Sequence, residues 1–197
     1  MTHTRLLRTI CLAALGLVGT LACSPNRSGQ PGLGAPAPRY AGVTLDGSTF
    51  ELAANRGSVV LLNIWATWCP PCREELPELA RIHRAFHEQR FTVAAISVDD
   101  AHHEPRVRAL ARDLELPFPI VLDPRSLASS RFAARAYPTS LLVDREGVVV
   151  WRRAGMIVPH DGDLHPVLRR TLNQRGPVPT ERGATVDATG GAAAAAP

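Results

Sequence analysis

Residues 58–77, SVVLLNIWATWCPPCREELP, hold the change of pattern that decides the fold. Ser58 to Ala66 is a nearly continuous run of β-branched and apolar residues, as expected of a strand buried on both faces. Beyond it the apolar spacing becomes Leu76, Leu79, Ile82 and Phe86, which predicts a helix over Pro71 to Gln89. Cys69 and Cys72 stand at the junction, with two prolines between them. Cys69 is thereby placed at the first helical turn, where free backbone N–H groups and the helix dipole favour negative charge. A thiolate is what such a place stabilises, and the thiolate is the reactive form of cysteine. Pro70 suits the first helical position, where a fixed φ and a missing N–H cost nothing. Together with Pro71 it stiffens the turn between the two sulfurs. Cys72, one turn deeper, is expected to be buried, less acidic and suited to resolving a mixed disulfide formed at Cys69.

Strand and helix signals alternate on either side. VTLDGSTFEL (Val43 to Leu52) places Asp46-Gly47 between alternating residues, a hairpin signal. FTVAAISVD (Phe91 to Asp99) reads as a second buried strand and Glu104 to Leu114 as a helix. PIVLD (Pro119 to Asp123) reads as a short strand, and Ser126 to Ala136 as a helix with Ser126 as its N-cap. SLLVD (Ser140 to Asp144), a turn at Arg145-Glu146-Gly147 and VVVWRR (Val148 to Arg153) form another hairpin. A helix over His160 to Leu172 closes the unit. This order implies an α/β fold: a mainly parallel sheet covered by helices on both faces, with an antiparallel hairpin at one edge.

The chain has 197 residues, 45% hydrophobic and 20% charged, with a net charge of +4. That suits one globular domain with extensions. The positive charge is entirely arginine and scattered, without the dense basic run expected of a nucleic-acid surface. Residues 1–22 have the layout of a secretory signal: Arg5 and Arg8, an apolar core from Ile10 to Val18, and small residues ahead of Cys23. The apolar stretch from Ile10 to Ala22 falls short of the ~20 residues that a membrane-spanning helix needs. Residues 23–37, rich in Gly, Pro and Ser, read as a tether, residues 38–172 as the folded domain, and residues 173–197 as a disordered tail.

Of the four cysteines, Cys11 lies in the signal and Cys23 at its end, which leaves Cys69 and Cys72. A bridge between residues so close in sequence closes almost no loop and stabilises little. A c-type haem would need His where Arg73 stands, and a zinc site would need a second ligand pair. His83 and His87 have zinc-ligand spacing but no evident third ligand, so a solvated helix face is expected there. His102 and His103 follow the second buried strand. A catalytic dithiol needing no cofactor is the reading that remains.

LLNIWATWCPPCREELPEL resembles the TlpA/ResA-like branch of thioredoxin-fold proteins, the tethered thiol-disulfide oxidoreductases of bacterial envelopes. The likeness extends to LDGSTFEL, AAISVDD and YPTSLLVDREGVVV. It implies a thioredoxin-like mixed sheet with an N-terminal β-hairpin extension. It also implies a cis Pro138 facing the cysteines, with Tyr137, Pro138 and Thr139 forming a substrate-docking edge. Trp68 resembles the exposed tryptophan that covers the thiol and contacts partners in thioredoxins, together with Pro70 and Pro71, whereas Trp65 belongs to the core. Asn63 stands where thioredoxins carry a buried Asp. In the ResA-like group a Glu in the position of Glu75 serves near the site, where a carboxylate holding its proton to higher pH exchanges it with Cys72. The alternative for Glu75 is a purely electrostatic role in the first helical turns. Glu74 reads as a solvated dipole partner and Arg73 as a surface residue whose charge helps the Cys69 thiolate.

Cys23 resembles the lipidated cysteine of bacterial lipoproteins. Thr20 stands where that pattern prefers Leu, so cleavage to a soluble periplasmic protein is the alternative. The expected protein is a monomeric, envelope-located reductant of protein disulfides, recharged by a membrane electron donor, for example in cytochrome c maturation or disulfide repair. A copper-handling metallochaperone using the same two thiolates is the other reading. A peroxidase is disfavoured, because peroxiredoxins need Thr where Ala66 stands.

Overall fold

The computed structural model describes residues 31–174. Residues 1–22, read above as a secretory signal, Cys23, the first part of the expected tether and the expected tail from residue 175 lie outside them. The described chain forms a seven-stranded sheet in the order β2-β1-β5-β4-β3-β6-β7. The strands are β1 (Ala41–Thr44), β2 (Thr49–Glu51), β3 (Val59–Trp65), β4 (Phe91–Ser97), β5 (Ile120–Leu122), β6 (Thr139–Val143) and β7 (Val149–Ala154). The helices are α1 (Pro70–Phe86), α2 (Glu104–Asp113), α3 (Leu127–Arg131) and α4 (Leu164–Asn173).

Strand β3 is the axis of the molecule, with every residue from Val59 to Trp65 buried. It pairs parallel with β4 and antiparallel with β6. Helix α1 buries the predicted stripe of Leu76, Leu79 and Ile82 together with Cys72 and Glu75, and it runs through Pro77. Among the described residues the core holds 38 buried apolar residues, the two cysteines included. No helix among the described residues is long and apolar enough to cross a membrane.

The sheet is mixed, as the resemblance implies, and less parallel than the alternation of strands and helices alone suggests. Only β3, β4 and β5 run parallel, and antiparallel hairpins close both edges. The connection over residues 123–138 holds only the short helix α3. It returns to the end of the sheet where β5 finished, and β6 leaves from there antiparallel to β3. One consequence is that Pro138, just ahead of β6, lies at the same end of the sheet as Cys69, just past β3.

Helix α3 is also shorter than the predicted Ser126 to Ala136. Ala133 takes a left-handed φ of 49°, and the Arg152 guanidinium donates to the carbonyls of Phe132 and Ala133 at 2.6 and 2.8 Å. Ser126 occupies the N-cap position, but its side chain does not cap. It has a φ of 52° and makes no capping bond. Instead the Asp123 carboxylate accepts from the N–H groups of Leu127 and Ala128 at 3.0 and 2.7 Å. Backbone pairs also reach into the segment read as tether. Gly34 N–H donates to Val149 O at 2.8 Å and Ala37 N–H to Gly147 O at 2.9 Å, so order begins ahead of Pro38. Leu172 is buried and α4 ends one residue beyond it.

Candidate active site

Cys69 caps α1 from the extended conformation, and its sulfur accepts from the Cys72 N–H at 3.3 Å. The two residues form a disulfide with an S–S distance of 2.16 Å and Cα atoms 5.3 Å apart. Cys72 is fully buried and Cys69 is 5% exposed, so Cys69 is the sulfur nearer to solvent. The turn before them is held from β4. Asp99, buried at its end, accepts from the Thr67 N–H at 2.9 Å and from the Thr67 and Ser97 hydroxyls at 2.5 and 2.8 Å.

Trp68 is 62% exposed and stands edge-on to Tyr137, with ring centroids 5.7 Å apart. The Tyr137 hydroxyl pairs with Ser129 Oγ at 2.7 Å. Pro70, Pro71, Arg73 and Glu74 are exposed around the pair, and Trp65 is in the core. The Tyr137–Pro138 peptide bond is cis. Thr139 begins β6. Its side chain is fully buried, its hydroxyl donates to Ala136 O at 2.7 Å, and its backbone lies between Ile64 and Ala154. Tyr137, half-buried, is therefore the accessible side chain of that trio.

Glu75 lies one turn below Cys72 on the same face of α1 and is 1% exposed. Its Oε1 accepts from Asn63 Nδ2 at 2.6 Å and its Oε2 from the Ile157 N–H at 2.8 Å. Asn63 also donates to Ser140 Oγ at 2.9 Å. Burial pushes the carboxyl up to about 7, opposed by the two donors and by the nearby Arg153 charge. A carboxylic acid with that proton affinity is matched to proton exchange near neutral pH.

Asn63 is marked by its place ahead of Cys69, but its neighbours Ser140 and Arg153 have no signal in the local sequence. Asn63, Ser140 and Arg153 lie directly opposite one another across β3, β6 and β7, so they share one face under Glu75. Only the strand register reveals that row. Glu78, also buried, is forked by Arg81 at 2.6 and 2.7 Å and lies 3.7 Å from His165 on α4. His83 is not on a solvated face. It is half-buried against Phe118, accepts from the Val93 N–H at 3.3 Å, and is held below the usual histidine range, mainly by burial. Among the described residues no group of three or more His, Cys, Asp or Glu is placed to hold a metal ion.

The description AhpC/TSA family matches residues 33–152, more than half of the chain. The chain belongs to the AhpC/TSA family. It is 34% identical over 116 residues to the thioredoxin-like protein YneN of Bacillus subtilis, covering 59% of this chain and 68% of that one. With the thiol-disulfide oxidoreductase ResA of Bacillus cereus it shares 30% identity over 123 residues, 62% of this chain and 70% of the relative. Among solved structures, a thiol:disulfide interchange protein of the thioredoxin family from Chlorobium tepidum superposes with a TM-score of 0.61 at 27% identity, covering 70% and 95% of the two chains. A DsbF homologue from Corynebacterium diphtheriae shares the fold with a TM-score of 0.61 at 24% identity, covering 69% and 86%. The fold is thioredoxin-like and the protein is a thiol-disulfide oxidoreductase.

Proposed function

We propose that the protein reduces disulfides of proteins in the bacterial envelope through Cys69 and Cys72. The observation that carries this reading is the disulfide itself, set where a helix begins, with a buried acid under its inner sulfur. In the reduced protein the Cys72 N–H and the start of α1 favour a thiolate at Cys69. That thiolate attacks one sulfur of the substrate disulfide, forming a mixed disulfide and releasing a substrate thiolate. Cys72 then gives its proton to Glu75 and attacks Cys69. The Cys69–Cys72 disulfide forms and the second substrate thiolate leaves. Two electrons pass to the substrate, and its sulfurs end as thiols once protonated.

Trp68 and Tyr137 supply the exposed aromatic surface on which a substrate chain rests, with Pro70 and Pro71 at its border and Pro138 ahead of β6. The signal-like residues 1–22 and Cys23 support export and a lipid anchor on the envelope side of the membrane. An oxidising compartment then requires a membrane electron donor to regenerate the dithiol. Disulfide repair and cytochrome c maturation are the processes that such a reductant fits.

Trapping tests the assigned order of attack. Cys72→Ser should accumulate covalent adducts with a peptide disulfide, whereas Cys69→Ser should accumulate none. Adducts through Cys72 in the second variant would overturn the roles given to the two sulfurs.

A further inference from the structure

The segment between β7 and α4 contributes one backbone group to the redox site, the Ile157 N–H on Glu75 Oε2. It has no helix or strand pairing of its own to aim that N–H, only a turn in which the Asp161 N–H donates to Val158 O at 3.1 Å. Its outer side is open to solvent at Val158, Pro159 and His160, while Ile157 is 1% exposed. Two ties hold it. At its start the Gly155 N–H donates to Pro138 O at 2.8 Å. At its end the Arg153 guanidinium reaches over, with Nη1 on Asp161 Oδ2 and Nη2 on Asp163 Oδ2 at 2.6 Å. Nη1 also approaches Met156 O at 3.5 Å.

Asp161 makes the second tie rigid. It is 3% exposed, and its other oxygen accepts from the N–H groups of Asp163 and Leu164 at 3.0 and 2.9 Å, which starts α4. A forked guanidinium bridging two carboxylates fixes direction as well as distance. Arg153 also belongs to the sheet row of Asn63 and Ser140. One side chain thus connects the strand face under Glu75 to the segment that covers it.

We propose that Arg153 is a positioning residue of the redox site, holding the 155–163 segment so that the Ile157 N–H stays on the Glu75 carboxylate. This rests on the reading of Glu75 as the proton partner of Cys72. The groups around Glu75 are the Cys72 sulfur and Glu78 on α1, the latter occupied by Arg81 and near His165 of α4, Asn63 and Ser140 from the sheet, and Arg153 with Asp161 beside it. Arg153 is the cation among those acting on Glu75. Removing it takes away a charge and loosens a donor, and both changes favour the protonated acid.

The test is a titration of the Glu75 side-chain carboxyl by carbon NMR in the oxidised protein, with hydrogen exchange of the Ile157 amide measured on the same samples. In Arg153→Gln the midpoint should rise by about 1 pH unit, the scale of one lost bond to a charged acceptor, and Ile157 protection should fall at least tenfold. Arg153→Lys keeps the charge without the fork, so it should also lose Ile157 protection, and it decides the matter if the Gln variant does not fold. An unmoved midpoint overturns the proposal. So does a moved midpoint with Ile157 still protected, because charge alone would then be acting. If both readouts move while the pH profile of disulfide exchange stays in place, Arg153 positions Glu75 as proposed and the proton role of Glu75 is what fails.

Discussion

Glu75 keeps its proton to about pH 7 because burial outweighs the donors from Ile157 and Asn63 and the charge of Arg153. The sign of the stability effect follows. A carboxyl whose folded value lies above its unfolded one stabilises the fold fully below the unfolded value, near 4.5. That contribution is lost as pH rises towards 7, because the unfolded chain ionises first. The expected loss is about 3 kcal/mol. Urea unfolding of the oxidised protein at pH 4.5 and pH 7.5 should show it, and Glu75→Gln should flatten the difference. Equal pH dependence in both proteins would place the effect elsewhere. Chemistry at the same residue gives a second expectation. Without an acceptor for its proton, Cys72 should resolve mixed disulfides on the order of 10²-fold more slowly in Glu75→Gln. Stopped-flow exchange with a peptide disulfide at neutral pH measures that step, and an unchanged rate would reduce Glu75 to the helix-dipole role.

Among the elements, β3 and α1 were the most legible, because a change from continuous apolar residues to a 3.6-residue stripe marks both the elements and their junction. Both hairpins were also legible, one through Asp46-Gly47 and the other through Glu146-Gly147. Helix α3 was not. Ser126 looks like a cap, but Asp123 reaches the same N–H groups from the end of β5, and Arg152, distant in sequence, ends the helix by taking its carbonyls. Capping by Asp123 yields its own prediction. Asp123→Ala should cost about 1–2 kcal/mol of stability, read from the denaturation midpoint, and Asp123→Asn should cost less. Neither should change which cysteine is trapped. A loss within error for Asp123→Ala would mean that the two N–H groups find other partners.

Across the whole molecule, the candidate site divides by sequence distance. The cysteines, Trp68 and Glu75 lie within one short stretch and could be read directly. Ser140, Arg153 and Ile157 are joined to Asn63 only by sheet register and by the segment before α4, so no local pattern points to those three. The direction of β6 has no local signal either: it runs antiparallel to β3, and that direction brings Pro138 to the cysteine end. Direction of electron flow is also a property of the assembled site. It depends on how Cys69 at the helix start and Glu75 beneath Cys72 share charge in the reduced state. The decisive measurement is the reduction potential of the Cys69–Cys72 pair, from equilibration in graded thiol/disulfide buffers followed by tryptophan fluorescence, with Cys72→Ser as the control. A reductant of envelope disulfides should give a value close to thioredoxin's, ~−270 mV. A value near ~−120 mV would mark an oxidant of folding proteins and contradict the proposed direction.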